Sequence, residues 1–424
     1  MKDITVILFC YSNQNVLDKA LQSLRNLAPR VKSVMILQKP GMSLQIIHEY
    51  EEMDQIEYLN AESNDAAETL NNRINFINSD YILFLRDQDY LSPSIDAESL
   101  NLPPEKKVLA TSCNKQTVIQ HPLLVRTSYL KKHPLLPGSQ LPFEEALFPA
   151  WLSAVDHSIK SFREELIRQS RKNSSANQKR REEMIQKYNL EKVNLNAPSL
   201  SVIMANYNME KYADTAIASC LLQSEQPEQI LVMDDGSTDA SYQQLQQWHD
   251  GEQVKIFRKQ NEGKAKALNS LLPHVTSEFI LELDADDWLD PDAVSTIKEQ
   301  LLHLPKDISV LYGNLRKWKQ SEGDPLFKGV AKGKDVSTKK GLLSYRFPLG
   351  PRIYRTTSLK RIGGFPVIAF EDGRLYEDVS VLNQLINNHG FKYHDFTVYN
   401  VREHQESITK NNPSSWNDFL KMLK

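Results

Sequence analysis

The stretch Phe279-Ile-Leu-Glu-Leu-Asp-Ala-Asp-Asp-Trp288 decides the fold. It is read with two runs upstream, Ser201-Val-Ile-Met-Ala-Asn-Tyr-Asn208 and Ile230-Leu-Val-Met-Asp-Asp-Gly-Ser-Thr-Asp239. Each is an apolar run that stops at a polar turn, and the first and last named stop at paired carboxylates. An open α/β sheet presents acids in this way at the carboxyl ends of its strands. Asn261-Glu-Gly-Lys-Ala-Lys-Ala-Leu-Asn269 reads as a loop entering a helix. Strand, helix, strand, helix, strand is the order of a parallel sheet built from right-handed crossovers.

The chain repeats itself. Tyr81-Ile-Leu-Phe-Leu-Arg-Asp-Gln-Asp-Tyr-Leu-Ser-Pro93 aligns without a gap on Phe279-Ile-Leu-Glu-Leu-Asp-Ala-Asp-Asp-Trp-Leu-Asp-Pro291, which sets Asn71 on Asn269. Thr5-Val-Ile-Leu-Phe-Cys-Tyr11 resembles Ser201-Val-Ile-Met-Ala-Asn-Tyr207. Helical patterns follow both tyrosines, at Leu17, Ala20, Leu21 and Leu24 and at Ala213, Ala216, Ile217 and Cys220. The expectation is two α/β domains with mostly parallel sheets, over residues 1–155 and 198–424. Residues 156–197 are charged, with Ile159, Phe162 and Leu166 on one helical face and Lys179-Arg-Arg-Glu-Glu183 opening a second helical stretch. This predicts a helical linker. Glutamates among its bases favour a solvated connector over a basic face for a membrane or anionic polymer.

The chain has 424 residues, with 51 Lys+Arg against 54 Asp+Glu and a net charge of −3. That balance gives no electrostatic reason for nucleic acid to be a main partner. The three cysteines, Cys10, Cys113 and Cys220, are too widely spaced for a disulfide framework or a zinc site, which points to a reducing compartment. The apolar run from Ile4 to Cys10 is too short for a secretory signal, and no stretch approaches a membrane span. A soluble cytoplasmic protein is expected, with attachment to a membrane or spore surface left open.

Four clusters carry chemistry. Asp284 and Asp286 lie two apart in what should be an extended chain, where residues two apart point to one side. Two such carboxylates repel unless a cation lies between them, and a hard divalent ion, Mn²⁺ or Mg²⁺, suits oxygen ligands. Asp287 adds a third acid, although aspartates are also ordinary at strand-end turns. In Asp234-Asp235-Gly236-Ser237 a carboxylate can accept from the imide N–H of a pyrimidine, and Gly236 permits a tight turn. Lys264 and Lys266 lie near a helix start, where backbone N–H groups also favour an anion such as a diphosphate. In Tyr376-Glu377-Asp378-Val379 a carboxylate can cap the following helix or act as general base. In Arg402-Glu-His404-Gln-Glu-Ser407 a neutral imidazole can complete a metal shell or touch a phosphate.

Taken in order, these motifs resemble glycosyltransferase family 2, the inverting nucleotide-sugar enzymes with the GT-A fold. The likeness runs from about Leu200 to Thr409 and takes in the Tyr-Asn turn, Asp-Asp-Gly-Ser, Asn-x-Gly, Asp-x-Asp-Asp, Glu-Asp and Arg-x-His-x-x-Ser. The opening run and Met233-Asp-Asp are also similar to bacterial spore-coat polysaccharide transferases. The resemblance implies that Ala205, Tyr207 and Asp235 flank the nucleobase with Asp234 beside them. It implies that Asp284, Asp286 and Asp287 handle ribose and metal, Asp286 first among the ligands. It makes Asp378 the catalytic base and puts His404 near diphosphate and metal. Residues 319–341 become a mobile flap near the acceptor. The implied reaction moves a sugar from a nucleotide diphosphate, UDP above others, to a hydroxyl of a glycan or other acceptor in surface, capsule or spore polysaccharide synthesis. Absence of a Gln-x-x-Arg-Trp motif favours single additions over polymerisation.

The first half reads as a retired copy. Arg86 occupies the place of Asp284 and Gln88 that of Asp286, while Asp89 is kept. Lys39 faces where the pyrimidine-reading carboxylate stands, and Ala66 and Glu68 replace Lys264 and Lys266. Glu145 takes the base position, and by alignment the flap is missing. A cation cannot hold a second cation, so this domain is expected to bind glycan, form homo-oligomers or support its neighbour. Two other classes compete for the whole chain. One is a glycan-binding assembly protein, against which the intact acids of the second half argue. The other is a sugar nucleotidyltransferase, which wants a Gly-rich triphosphate loop where Ala205-Asn-Tyr-Asn208 stands.

Overall fold

The computed structural model describes residues 2–38, 44, 55–60, 65–112, 119–170, 175–190, 197–320, 323–344, 349–368, 370, 376–387, 390–404 and 416–422. The chain divides into two units, Met1–Asn189 and Leu190–Lys424. Lys39, Ser407 and residues 321–322 of the expected flap lie outside the described residues.

In the first unit the strands are β1 (Ile4–Phe9), β2 (Val31–Gln38), β3 (Ile56–Asn60), β4 (Tyr81–Arg86), β5 (Asp89–Leu91), β6 (Val108–Ser112), β7 (Gln120–Arg126), β8 (Lys160–Phe162) and β9 (Ile167–Gln169). Its main sheet runs β3-β2-β1-β4-β7-β6-β8, and β5 pairs with β9 apart from it. In the second unit they are β10 (Leu200–Asn206), β11 (Gln229–Asp234), β12 (Val254–Arg258), β13 (Phe279–Glu282), β14 (Trp288–Leu289), β15 (Ile308–Lys319), β16 (Leu326–Ala331), β17 (Ile353–Arg355) and β18 (Gly390–Glu403). That sheet runs β12-β11-β10-β13-β17-β15-β18-β14, with β16 added on β15. In both units the strands carrying the motifs are parallel, and the far half of the sheet is mixed.

The order of the seven strands from β3 to β8 repeats in the second unit from β12 to β18, and so does the register. Thr5 pairs with Ile82 as Ser201 pairs with Ile280, and Tyr81 faces Arg126 as Phe279 faces Arg355. Framework hydrogen bonds repeat as well. Asn71 exchanges amide bonds with the backbone of Leu135 at 2.7 and 2.9 Å, and Asn269 does so with Phe365 at 2.7 and 2.7 Å. The Ser23 and Ser219 hydroxyls accept from the N–H of Leu91 and Leu289, both at 3.0 Å.

Side chains alternate across β10. Val202 and Met204 enter a core shared with the helices Ala213–Leu221 and Ala293–Leu301, while Ile203 enters one shared with Lys264–Leu271 and Glu377–Leu385. Burial on both faces is why the strand reads as an unbroken apolar run. The strand ends stay outside these cores, and there the polar turns begin.

The expected helical linker over 156–197 is corrected. β8 extends β6 in parallel, β9 pairs with β5, and the helix Ala176–Ile185 buries Met184 and Ile185. Residues up to Asn189 therefore belong to the first unit. Strands of three residues broken by Arg163-Glu-Glu-Leu166 are too short to print an alternating pattern. Together they take the place that one continuous strand, β18, holds in the second unit. The expected flap is a hairpin in part, since β16 pairs antiparallel with the end of β15. Residues 113–119 alone separate β6 from β7, whereas residues 320–352 separate β15 from β17.

Candidate active site

The ends of β10, β11 and β13 bring the first motifs together. Asp234 closes β11 beside Asn206 and is wholly buried. It accepts from Asn206 Nδ2 at 2.9 Å and Ser237 N–H at 3.1 Å, and Arg258 Nε stands 3.4 Å away. Asp234 thus braces the turn. Asp235 accepts from the N–H groups of Gly263 at 2.7 Å and Glu262 at 3.1 Å and pairs with Lys259 at 3.3 Å. It bolts the turn to the loop that starts the helix Lys264–Leu271. Gly236 is required there: its φ is +75°, and a Cβ would stand 2.7 Å from the Asn261 nitrogen. Gly236, Arg258, Lys259, Gln260 and Asn261 line an open pocket of about 480 Å³. Ala205 is half-buried and Tyr207 is 44% exposed.

The acids after β13 divide by burial. Asp287 is buried, accepts from the Arg402 N–H at 2.8 Å and bonds Tyr399. Burial, reinforced by Asp286 and Asp284, pushes its carboxyl well above the usual aspartate range. It ties β18 to the turn. Asp286 Oδ2 lies 2.9 Å from His404 Nε2. That is a hydrogen-bond distance. A carboxylate and an imidazole are donor types that suit a divalent cation, and no cluster of three such ligands occurs among the described residues. His404 is held by Tyr212, whose ring centroid lies 4.8 Å away, and Arg402 stacks between Tyr212 and Trp288 at 4.8 Å from each.

Asp284 faces a different set. Its N–H donates to Tyr399 Oη at 3.0 Å, and its Oδ1 receives Lys264 Nζ at 2.5 Å. Lys264, the first residue of its helix, also reaches Glu282 and Glu377, both at 3.1 Å. Burial works against the ammonium, but Asp284, Glu282 and Glu377 outweigh it and hold Lys264 well above the ordinary lysine value. Its charge is thus committed to carboxylates.

Beneath them lies Glu282, bidentate with Arg352 at 2.9 and 2.9 Å and bonded by Tyr354 Oη at 3.0 Å. Burial would raise this carboxyl, yet Arg352 and Lys264 hold it far below the usual range. Asp378 is in the first turn of the helix Glu377–Leu385, accepts from Val379 N–H at 2.8 Å and lies 3.6 Å from Arg352 Nη1. Burial raises Glu377, with Lys264 opposing and Asp378 reinforcing.

The structure thus joins Lys264, Asp284 and Asp378 through one network and pairs Asp286 with His404. It places Asp234 and Asp287 in the framework. Glu282, Arg352 and Tyr354 were missed from sequence. The one signal was a glutamate inside the apolar run Phe279–Leu283, at the position where the first half has Phe84.

Residues 201–331 match the model of the glycosyl transferase family 2. Glycosyltransferase GlyA of Streptococcus pneumoniae is 30% identical over 125 residues, covering 29% of this chain and only 18% of that protein. An uncharacterised glycosyltransferase of Haemophilus influenzae is 31% identical over 186 residues, covering 43% of this chain and 72% of that protein. Among solved structures, Staphylococcus aureus TarS residues 1–349 in complex with UDP aligns with a TM-score of 0.38 at 23% identity, covering 48% of this chain and 60% of that one.

Proposed function

The chain belongs to glycosyl transferase family 2, and from that premise we propose that its second unit is an inverting transferase that moves a sugar from a UDP-sugar to a hydroxyl of a glycan acceptor. The observation that carries this reading is the bridge between the strand ends and the helix of Asp378. Asp284 and Asp378 stand on one guanidinium, at 3.8 and 3.6 Å. A donor carboxylate and a general base need to be held in this way on the two sides of a transferred sugar.

In this proposal the open pocket beside Gly236 takes the nucleobase end, with Tyr207 against the ring and Asp235 shaping the loop. Asp284 receives the ribose. Asp286 and His404 would hold Mn²⁺ or Mg²⁺, which when bound offsets charge on the diphosphate. The acceptor hydroxyl attacks the anomeric carbon from the face opposite the diphosphate. Asp378 takes its proton as the new bond forms, and the bond to the diphosphate breaks with its electron pair. One displacement inverts the anomeric centre. Asp287 stays out of the reaction and keeps β18 in place. The hairpin of β15 and β16 would frame the acceptor.

We assign the first unit no catalysis. A place for the enzyme in bacterial surface, capsule or spore polysaccharide synthesis belongs to the same proposal, as does pairing of copies through the first unit. No helix among the described residues is long and apolar enough to cross a membrane. A panel of nucleotide sugars, assayed for transfer and for slow donor hydrolysis with and without Mn²⁺, tests the reading. Release of UDP from one donor is expected. Glycan binding without turnover of any donor would favour an assembly protein, and pyrophosphate release from a nucleoside triphosphate and a sugar phosphate would favour a nucleotidyltransferase.

A further inference from the structure

We infer that Arg352, locked against Glu282, is a positioning residue for transfer, holding the base Asp378 in register with the donor carboxylate Asp284. The inference rests on the transferase reading above and assigns a role to a pair inside the sheet that touches no substrate.

Glu282, the last residue of β13, and Arg352, just before β17, meet one step beyond the antiparallel pair Leu281 and Ile353, where Glu282 N–H donates to Arg352 O at 3.2 Å. Two parallel bonds of 2.9 Å fix the plane of the guanidinium, and Tyr354 Oη fixes the carboxylate from a third side at 3.0 Å. The outer edge of the fork is then aimed. Nη1 stands 3.6 Å from Asp378 Oδ2 and Nη2 stands 3.8 Å from Asp284 Oδ2. These separations are longer than hydrogen bonds, so they orient both acids without closing their Oδ2 atoms to a substrate.

The two acids depend on Arg352 unequally. Asp284 has a second cation, Lys264, at 2.5 Å. Among the described residues Asp378 has no cation within 4.0 Å except Arg352. Loss of Arg352 should therefore damage the step that needs the base more than it damages donor binding.

The fold itself does not need this charge. In the first unit the same two facing positions hold Phe84 and Leu123, 4% and 0% exposed. A buried ion pair can often be replaced by apolar residues of similar volume at no loss of stability, and this molecule carries that replacement in its own other half. The ion pair in the second unit is thus explained by what it aims at.

The experiment copies that replacement. In the full-length chain, Glu282→Phe/Arg352→Leu is compared with Arg352→Lys and wild type by thermal unfolding and by kcat and donor KM on the best nucleotide sugar. The double variant should unfold cooperatively, lose about 100-fold in kcat and shift donor KM by less than about fivefold. Arg352→Lys, which keeps the charge without the fork, should recover about a tenth of wild-type kcat, and it carries the test should the double variant not fold. A double variant within about threefold of wild-type kcat, a loss confined to KM, or full activity in Arg352→Lys overturns the inference alone. A wild type that turns over no nucleotide sugar overturns the transferase reading and this inference with it.

Discussion

The two units share strand order, register and framework hydrogen bonds, yet one holds a buried charge network where the other holds apolar side chains. Glu282, Arg352 and Lys264 in the second unit stand where Phe84, Leu123 and Ala66 stand in the first. Around Phe84 the first unit has closed its cleft floor with aromatics: Phe148 lies 5.0 Å from Phe84 and 5.3 Å from Phe9, ring centre to ring centre. Arg86, in the place of Asp284, donates to the Glu145 carbonyl at 2.9 Å. Glu145, in the place of Asp378, is paired with Arg181 at 3.0 Å. The scaffold therefore does not require the site. Asn71 and Asn269, or Ser23 and Ser219, hold the same elements together in both units, whereas the Glu282, Arg352 and Lys264 charges occur at these positions in the second unit alone.

The sharpest way to break this comparison is to remove the base from each unit. Asp378→Asn should lower transfer by about 10³-fold with nucleotide affinity nearly unchanged, as removal of a general base does. Glu145→Gln, its counterpart, should leave steady-state rates alone. Equal effects from the two would end the distinction.

The next largest effect is on stability. Phe84→Glu sets a carboxylate into the aromatic floor of the first unit without the arginine and lysine that Glu282 enjoys. Stranding a buried charge costs about 3–5 kcal/mol, and denaturant unfolding of the full chain should show the first unit losing stability on that scale. A variant as stable as wild type would mean the floor is open to water.

A third test uses pH. Asp89 is buried, and burial, eased by Arg86 and Gln169, pushes its carboxyl up to about 6. Between an ordinary aspartate value of 3.8 and this raised one, the folded first unit thus keeps a proton that the unfolded chain gives up. Stability from this group is fully present below about pH 4 and declines as pH rises to about 6, by about 3 kcal/mol in all. Hydrogen exchange across β4 and β5 should record that slope, and Asp89→Asn should flatten it. A slope of the opposite sign would contradict the burial of Asp89.

The smallest expected effect is a null. Arg86→Asp/Gln88→Asp restores the missing acids on paper, but Ala66, Phe84 and Leu123 supply no cations to hold them. No new Mn²⁺-dependent nucleotide site should appear by calorimetry. A second site would mean that the acids alone make the difference.

How much of this was legible in the sequence follows from what each contact depends on. The repeat was visible because buried parallel strands are written as apolar runs, and its gap-free alignment matches the register of both sheets. Asp286 and His404 could be named because each lies within a motif of its own. The Glu282–Arg352 pair could not, since the two are 70 residues apart and meet only through antiparallel pairing. The partners of Asp234 and Asp287 were not legible either, since a row of aspartates reads alike on paper and their burial comes from neighbours such as Asn206, Tyr399 and Arg402. β8 and β9 were missed because strands of three residues give no period.

The central claim is that one unit alone binds the donor nucleotide. Calorimetric titration of the full-length chain with UDP in the presence of Mn²⁺ counts the sites directly. The account predicts one UDP per chain, lost in Asp286→Ala and kept in Gln88→Ala. Two sites per chain, or one that survives Asp286→Ala, would contradict it.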